Sequence, residues 1–180
     1  MRLESRHIQA LCIDIQERLF PHIHQNNDLA DRCSRLIRGL RVLDVPITVT
    51  EQYVKGLGPT IPAIREALGD LQAHEKMTFS CCGVHAVEAA ILGSGRNQVI
   101  LFGIETHVCV LQTALDLLSQ GRTVIVVEDA VSSRSANDKR VAIERMRQHG
   151  AIITTVESIL FELLGTSGTD TFKAISALVK

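Results

Sequence analysis

The sequence predicts an α/β fold: a three-layer, doubly wound, mostly parallel sheet of strand order 3-2-1-4-5-6, with helices on both faces. Three observations lead there. Short runs rich in Ile and Val are almost continuously apolar, as expected of strands covered on both faces. Segments of helical length, with apolar residues near helical spacing, alternate with them. No internal repeat, low-complexity tract or long linker interrupts the alternation. The 180 residues therefore read as a single domain, 1–180, long enough to bury a substantial core.

The elements follow in order. "IQALCIDI" is the first strand, and "DLADRCSRLIRGLRVLD" the amphipathic helix after it. "VPITVTE" is the second strand, and "AHEKMTF" a weaker, shorter third. "VHAVEAAILGSG" reads as a helix ended by glycine, which frees the chain to leave the helical path. "QVILFGI" is the fourth strand, followed by the helix "HVCVLQTALDLLSQG". "TVIVVEDA", the helix "SANDKRVAIERMRQHG" and the strand "AIITTVES" complete the alternation.

Charge and cysteine usage exclude several classes. With 19 basic and 20 acidic residues the net charge is -1, which gives no basic surface excess for a nucleic acid or an anionic membrane. The N-terminal "MRLESRHIQALCIDIQERLF" has neither a signal-type apolar region nor a membrane span, so the expected location is the cytoplasm. Five cysteines, an odd number without small-scaffold spacing, are read as reduced thiols. Cys12 and Cys33 suit a core, where cysteine acts as a small hydrophobe.

In a doubly wound sheet, ligands bind beyond the carboxyl ends of the strands where strand order reverses. The first and fourth strands are neighbours at that point, so Asp14 and Cys109 face one crevice, and Lys76 enters from the side. A thiol, a carboxylate and an ammonium thus converge. A helix N-terminus and a nearby ammonium both favour a thiolate at Cys109. Asp14 opposes that charge, yet can accept the thiol proton during attack and return it to a leaving amine.

The three motifs "CIDIQERLF", "EKMTFS" and "GIETHVCV" resemble those of the isochorismatase-like cysteine hydrolases, a family that includes nicotinamidases and other amide-cleaving enzymes. The resemblance runs from about Ile8 to about Val156, and "TEQYVKGLGPT" looks like its branch of small, poorly characterised members. It implies Cys109 as nucleophile, Asp14 as general base and Lys76 as the charge that positions both. It also implies a cis peptide between Ile104 and Glu105, with the backbone N–H groups of Glu105 and Cys109 aimed at a developing oxyanion. The expected activity is hydrolysis of an amide or related C–N bond in a small molecule, by a homo-oligomer to which the C-terminal "FKAISALVK" could lend contact surface. A thiol-based redox or binding protein, or an oligomeric scaffold, is the alternative on the same fold.

Other candidates are weaker. His22 and His24 form a His-x-His pair without a third ligand, and the nicotinamidase-type metal segment is replaced by "TEQYVKGLGPT", so no metal is expected. "GLG" and "GSG" do not complete a dinucleotide fingerprint, and no cofactor is expected. Phe20, Tyr53, Phe79 and Ile104 lie in segments near the strand ends and are candidates for an apolar substrate wall. Cys81 and Cys82 are read as packing at a helix start, His107 as a helix-start residue, and the direction of the Glu105 side chain is left open.

Overall fold

A computed structural model describes residues 2–180. Six strands form one sheet in the order β3-β2-β1-β4-β5-β6, with every neighbouring pair parallel. They are β1 (Ile8–Ile13), β2 (Ile47–Gln52), β3 (Ala73–Lys76), β4 (Gln98–Ile104), β5 (Thr123–Ser132) and β6 (Ile152–Thr154). The helices are α1 (Asn26–Val42), the short α2 (Val54–Leu57), α3 (Pro62–Leu68), α4 (His85–Gly93), α5 (Leu111–Ser119), α6 (Ala136–Gln148), α7 (Val156–Leu164) and α8 (Asp170–Val179). Every residue of β1 and β4 is buried, because helices cover both faces at the centre, whereas the edge strands β3 and β6 are partly exposed.

The order reverses between β1 and β4, whose register pairs Cys12 with Phe102 and Ile13 with Gly103. Gly103 takes a φ of +116°, and a Cβ there would overlap the Ile13 carbonyl oxygen. Only glycine lets the two backbones approach so closely at the end where the loops leave. β1 stops at Ile13 because Asp14 turns into the left-handed region, with φ +54°. β5 runs to Ser132, two residues beyond its apolar run, after a register shift opposite Leu101–Gly103.

The chain after β5 differs from the sequence-based expectation. "AIITTVES" is not one strand: β6 ends at Thr154, and the Thr155 hydroxyl accepts from the Ser158 amide to cap α7. The C-terminal segment is also helical, capped by Thr169, and α8 packs on α1 and α7 with Ile175 fully buried. Part of its apolar face is therefore already used within the chain. Among the described residues, no helix is long and apolar enough to cross a membrane.

Candidate active site

The site is assembled from the carboxyl ends of β1, β2 and β3 and from the turn after β4. Asp14, just past β1, donates its amide to the Thr50 carbonyl at 3.1 Å, and its Oδ1 accepts from the Thr50 hydroxyl at 2.8 Å. Its Oδ2 lies 2.7 Å from Lys76 Nζ, and neither side chain has any exposed surface. That contact pairs the two buried charges directly, while Oδ1 is fixed by the Thr50 hydroxyl. A carboxylate buried this way has one oxygen fixed and one with a lone pair to spare.

Lys76, the last residue of β3, stands opposite Gln52 in register. Its ammonium donates to Gln52 Oε1 at 2.7 Å and to the carbonyls of Phe79 and Thr78 at 3.0 and 3.1 Å, and it lies 3.5 Å from Cys109 Sγ. Burial alone would lower its pKa; attraction to Asp14, followed by Cys109, outweighs burial and raises it. The buried lysine is thus held as a cation.

Cys109 lies in a π-type turn, Thr106–Val110, that runs directly into α5. The amides of Val108 and Val110 both donate to the Glu105 carbonyl, at 3.1 and 3.2 Å. Such single wide turns recur at functional sites. The peptide bond between Ile104 and Glu105 is cis. Thr113, one turn along, donates its hydroxyl to the Cys109 carbonyl at 2.7 Å and accepts the Cys81 amide at 3.0 Å. This ties the turn that carries Cys109 to the segment after Lys76.

Of the opposing influences on the thiol, burial and the carboxylate prevail. Burial, and after it the Asp14 charge, push the Cys109 pKa up to about 12, against the lowering effect of Lys76. Only 6% of Cys109 is exposed, so desolvation of a thiolate, together with the Asp14 charge, outweighs the ammonium. Cys109 is thus held toward the thiol form, beside a Lys76 held toward the cation.

Around this centre, Glu105 points its carboxylate at Arg134, whose Nε donates to Oε1 at 2.9 Å, which answers the direction left open by the sequence. His107 does more than begin the helix: its Nδ1 is 2.9 Å from the Ser133 hydroxyl. Phe20 is half-buried against the core, while Tyr53 and Phe79 are exposed near the Lys76 segment. Ile104 is fully buried and has no surface to offer a ligand. Cys81 is also fully buried, with Sγ 3.8 Å from the Thr50 hydroxyl that holds Asp14. His22 and His24 are exposed, and among the described residues no three His, Cys, Asp or Glu side chains are grouped to hold a metal. Thr50, Gln52, Thr113 and Arg134 escaped the sequence reading.

The sequence profile of the isochorismatase domain matches residues 9–158, which contain all three members of the triad. The chain belongs to the isochorismatase family. Within that family, isochorismatase domain-containing protein 1 of Salmo salar is 43% identical over 169 residues, 94% of this chain but 59% of its own length. The chain thus spans about three-fifths of that curated relative. The solved structure of the MAR1 ribonuclease from Caenorhabditis elegans superposes with a TM-score of 0.94 at 40% identity, covering 99% of this chain and 92% of that one. The YcaC gene product of Escherichia coli, an octameric hydrolase of unknown specificity, matches in fold with a TM-score of 0.93 at 23% identity, over 99% of this chain and 89% of its own. The isochorismatase-family hydrolase fold is therefore common ground for all three comparisons.

Proposed function

We propose that this protein is a cysteine-dependent hydrolase that cleaves an amide or related C–N bond of a small molecule through a thioester intermediate. The observation that carries the reading is the fully buried Asp14–Lys76 ion pair with Nζ 3.5 Å from Cys109 Sγ, at the switch point of the sheet. Asp14 accepts the thiol proton as sulfur attacks the carbonyl carbon, so no free thiolate need accumulate. The backbone N–H groups of Glu105 and Cys109 receive the oxyanion; one such donor is worth on the order of 3 kcal/mol in known cases. Collapse of the tetrahedral intermediate breaks the C–N bond, and Asp14 returns the proton to the departing amine. Asp14 then takes a proton from water, which attacks the thioester and releases the acid and the thiol. Lys76 holds the carboxylate in place and offsets negative charge throughout.

The reading extends to a cytoplasmic homo-oligomer built from one domain. It is supported by five free cysteines and by the octameric assembly of the fold neighbour YcaC. A second reading, ribonuclease activity, is favoured by the 40% identity to the C. elegans MAR1 ribonuclease, although a net charge of -1 gives phosphates little purchase.

The test is a panel of small primary amides, with ammonia release and the acyl-enzyme mass as readouts, and RNA cleavage run beside it. Release from at least one amide is expected. It should be abolished in Cys109→Ala and lowered about 10²–10⁴-fold in Asp14→Asn, the usual cost of lost general acid–base catalysis. No ammonia and no acyl adduct, with either RNA cleavage that survives Cys109→Ala or reversible sulfenic acid formation at Cys109 as the only chemistry, would overturn the amidase reading.

A further inference from the structure

The Lys76 ammonium is buried with three N–H donors to place, and its shortest neutral contact is Gln52 Oε1 at 2.7 Å. The other end of the same amide is engaged: Gln52 Nε2 donates to the Met77 carbonyl at 2.9 Å. An amide flipped by 180° would set NH₂ against an ammonium and oxygen against a carbonyl, so the orientation is fixed by the network. The Gln52 backbone is held as well. Its amide donates to Gln16 Oε1 at 2.7 Å, and Gln16 Nε2 donates to the Gln52 carbonyl at 2.9 Å and to the Gly58 carbonyl at 2.6 Å. Gln16 is fully buried, and its own amide donates to the Asp14 carbonyl at 2.8 Å. The contacts therefore close a ring, from Asp14 through Gln16, Gln52 and Lys76 back to Asp14. Two glutamines set the separation of the ion pair from outside it.

The residue type matters as much as the place. A carboxylate at position 52 would also accept from the ammonium, but it would divide that charge between two anions and turn its second oxygen toward the Met77 carbonyl. Glutamine supplies the acceptor without the charge. We propose that Gln52 is a positioning residue that holds the Lys76 ammonium beside Cys109 and, being neutral, leaves its full charge to Asp14 and the reacting sulfur. The inference rests on the triad reading above and deepens it.

The experiment follows alkylation of Cys109 by iodoacetamide as a function of pH, by peptide mass spectrometry, because that readout needs no known substrate. Gln52→Glu is nearly isosteric and keeps the acceptor. It should lower the Cys109 rate constant at pH 9 about tenfold, moving the pH–rate curve of the folded protein up by about one unit, the effect of one added nearby negative charge, whatever the lost donor to the Met77 carbonyl does to the melting temperature. Gln52→Met fills the space without an acceptor and should lower kcat on any amide the wild type turns over, at unchanged KM. A purely structural role would lower the melting temperature and leave the curve of the folded protein in place. An unmoved curve in Gln52→Glu, with a moved one in Lys76→Met, overturns the role of Gln52 while the triad stands. Unmoved curves in both overturn the triad reading too. If Gln52→Glu does not fold, an unchanged kcat in Gln52→Met overturns the proposal.

Discussion

Cys109 is pulled in two directions by neighbours that share one buried space. Lys76 at 3.5 Å favours a thiolate, while burial and the Asp14 carboxylate favour the thiol and prevail, at about 12. On the proposed reading, a general base that itself raises the pKa of its nucleophile suits proton transfer concerted with attack, because the proton moves within a group of fixed net charge. This arrangement makes Asp14→Asn act in opposite directions on two measurements. Turnover should fall, since no carboxylate remains to take the proton or give it back. Alkylation of Cys109 by iodoacetamide should instead accelerate between pH 8 and 10, because the second-largest cause that raises its pKa is removed while Lys76 remains. Half-buried Cys82 lies outside this triad and serves as the internal reference, and its rate should not change. A Cys109 rate that falls along with turnover would show that Asp14 ionises the thiol at rest, contrary to this account.

The elements that carry the triad owe their placement to Gly103. It is where β4 passes β1 most closely, and an added Cβ would overlap the Ile13 carbonyl and lie 2.8 Å from the Ile13 nitrogen. Neither obstacle is a side chain that can swing aside. Gly103→Ala should therefore destabilise by about 3 kcal/mol or more, combining backbone overlap with strain at positive φ. Gly121, with φ +75° and open space around it, isolates the conformational part, and Gly121→Ala should lose only about 1 kcal/mol. Urea midpoints of the two variants measure the difference; equal losses would mean that β1 and β4 yield easily. Gly103 was legible only as the last turn of an apolar run. "QVILFGI" announced β4 to the residue, because a strand buried on both faces must be apolar throughout. The start of α7 was hidden because Thr155, which caps it, continues a run of β-branched residues that also suits a strand. That Asp14, Lys76 and Cys109 converge was legible because motif spacing and strand order are both sequence properties. Thr50 and Gln52 were not, because their partners follow from the parallel register of β2 with its neighbours, which short-range pattern does not encode.

At the scale of the whole molecule, four thiols lie in the interior and set how the fold answers alkali. Burial is the leading cause that raises Cys12, Cys33, Cys81 and Cys109, with Asp14 next for all but Cys33; Cys81 goes to about 11 and Cys109 to about 12, against an ordinary value of 9.0. A raised pKa means that the native state keeps a proton that the unfolded chain gives up. Their contribution is therefore fully present below pH 9 and is lost as pH rises from 9 toward the folded values. Lys76, also raised, adds to the loss above its ordinary 10.5. Lys139 works the other way, since burial lowers it and its burden on the native state eases as pH rises; one such amine stands against five raised thiols, half-buried Cys82 included. Each thiol protonated only in the native state contributes a slope of about 1.4 kcal/mol per pH unit. Urea unfolding under a reductant should accordingly give near-constant contributions from these groups between pH 7 and 8 and a steep fall between pH 9 and 10.5. Cys33→Ala supplies the internal check. It starts from a lower stability, because it opens a small cavity and removes the Sγ contact to the Ala130 carbonyl at 3.3 Å, but its slope above pH 9 should be shallower by one thiol's share. A stability profile flat to pH 10.5, or a Cys33→Ala slope equal to that of the wild type, would mean that the interior lets these thiols ionise in place, and the same would then hold for Cys109 at its resting pH.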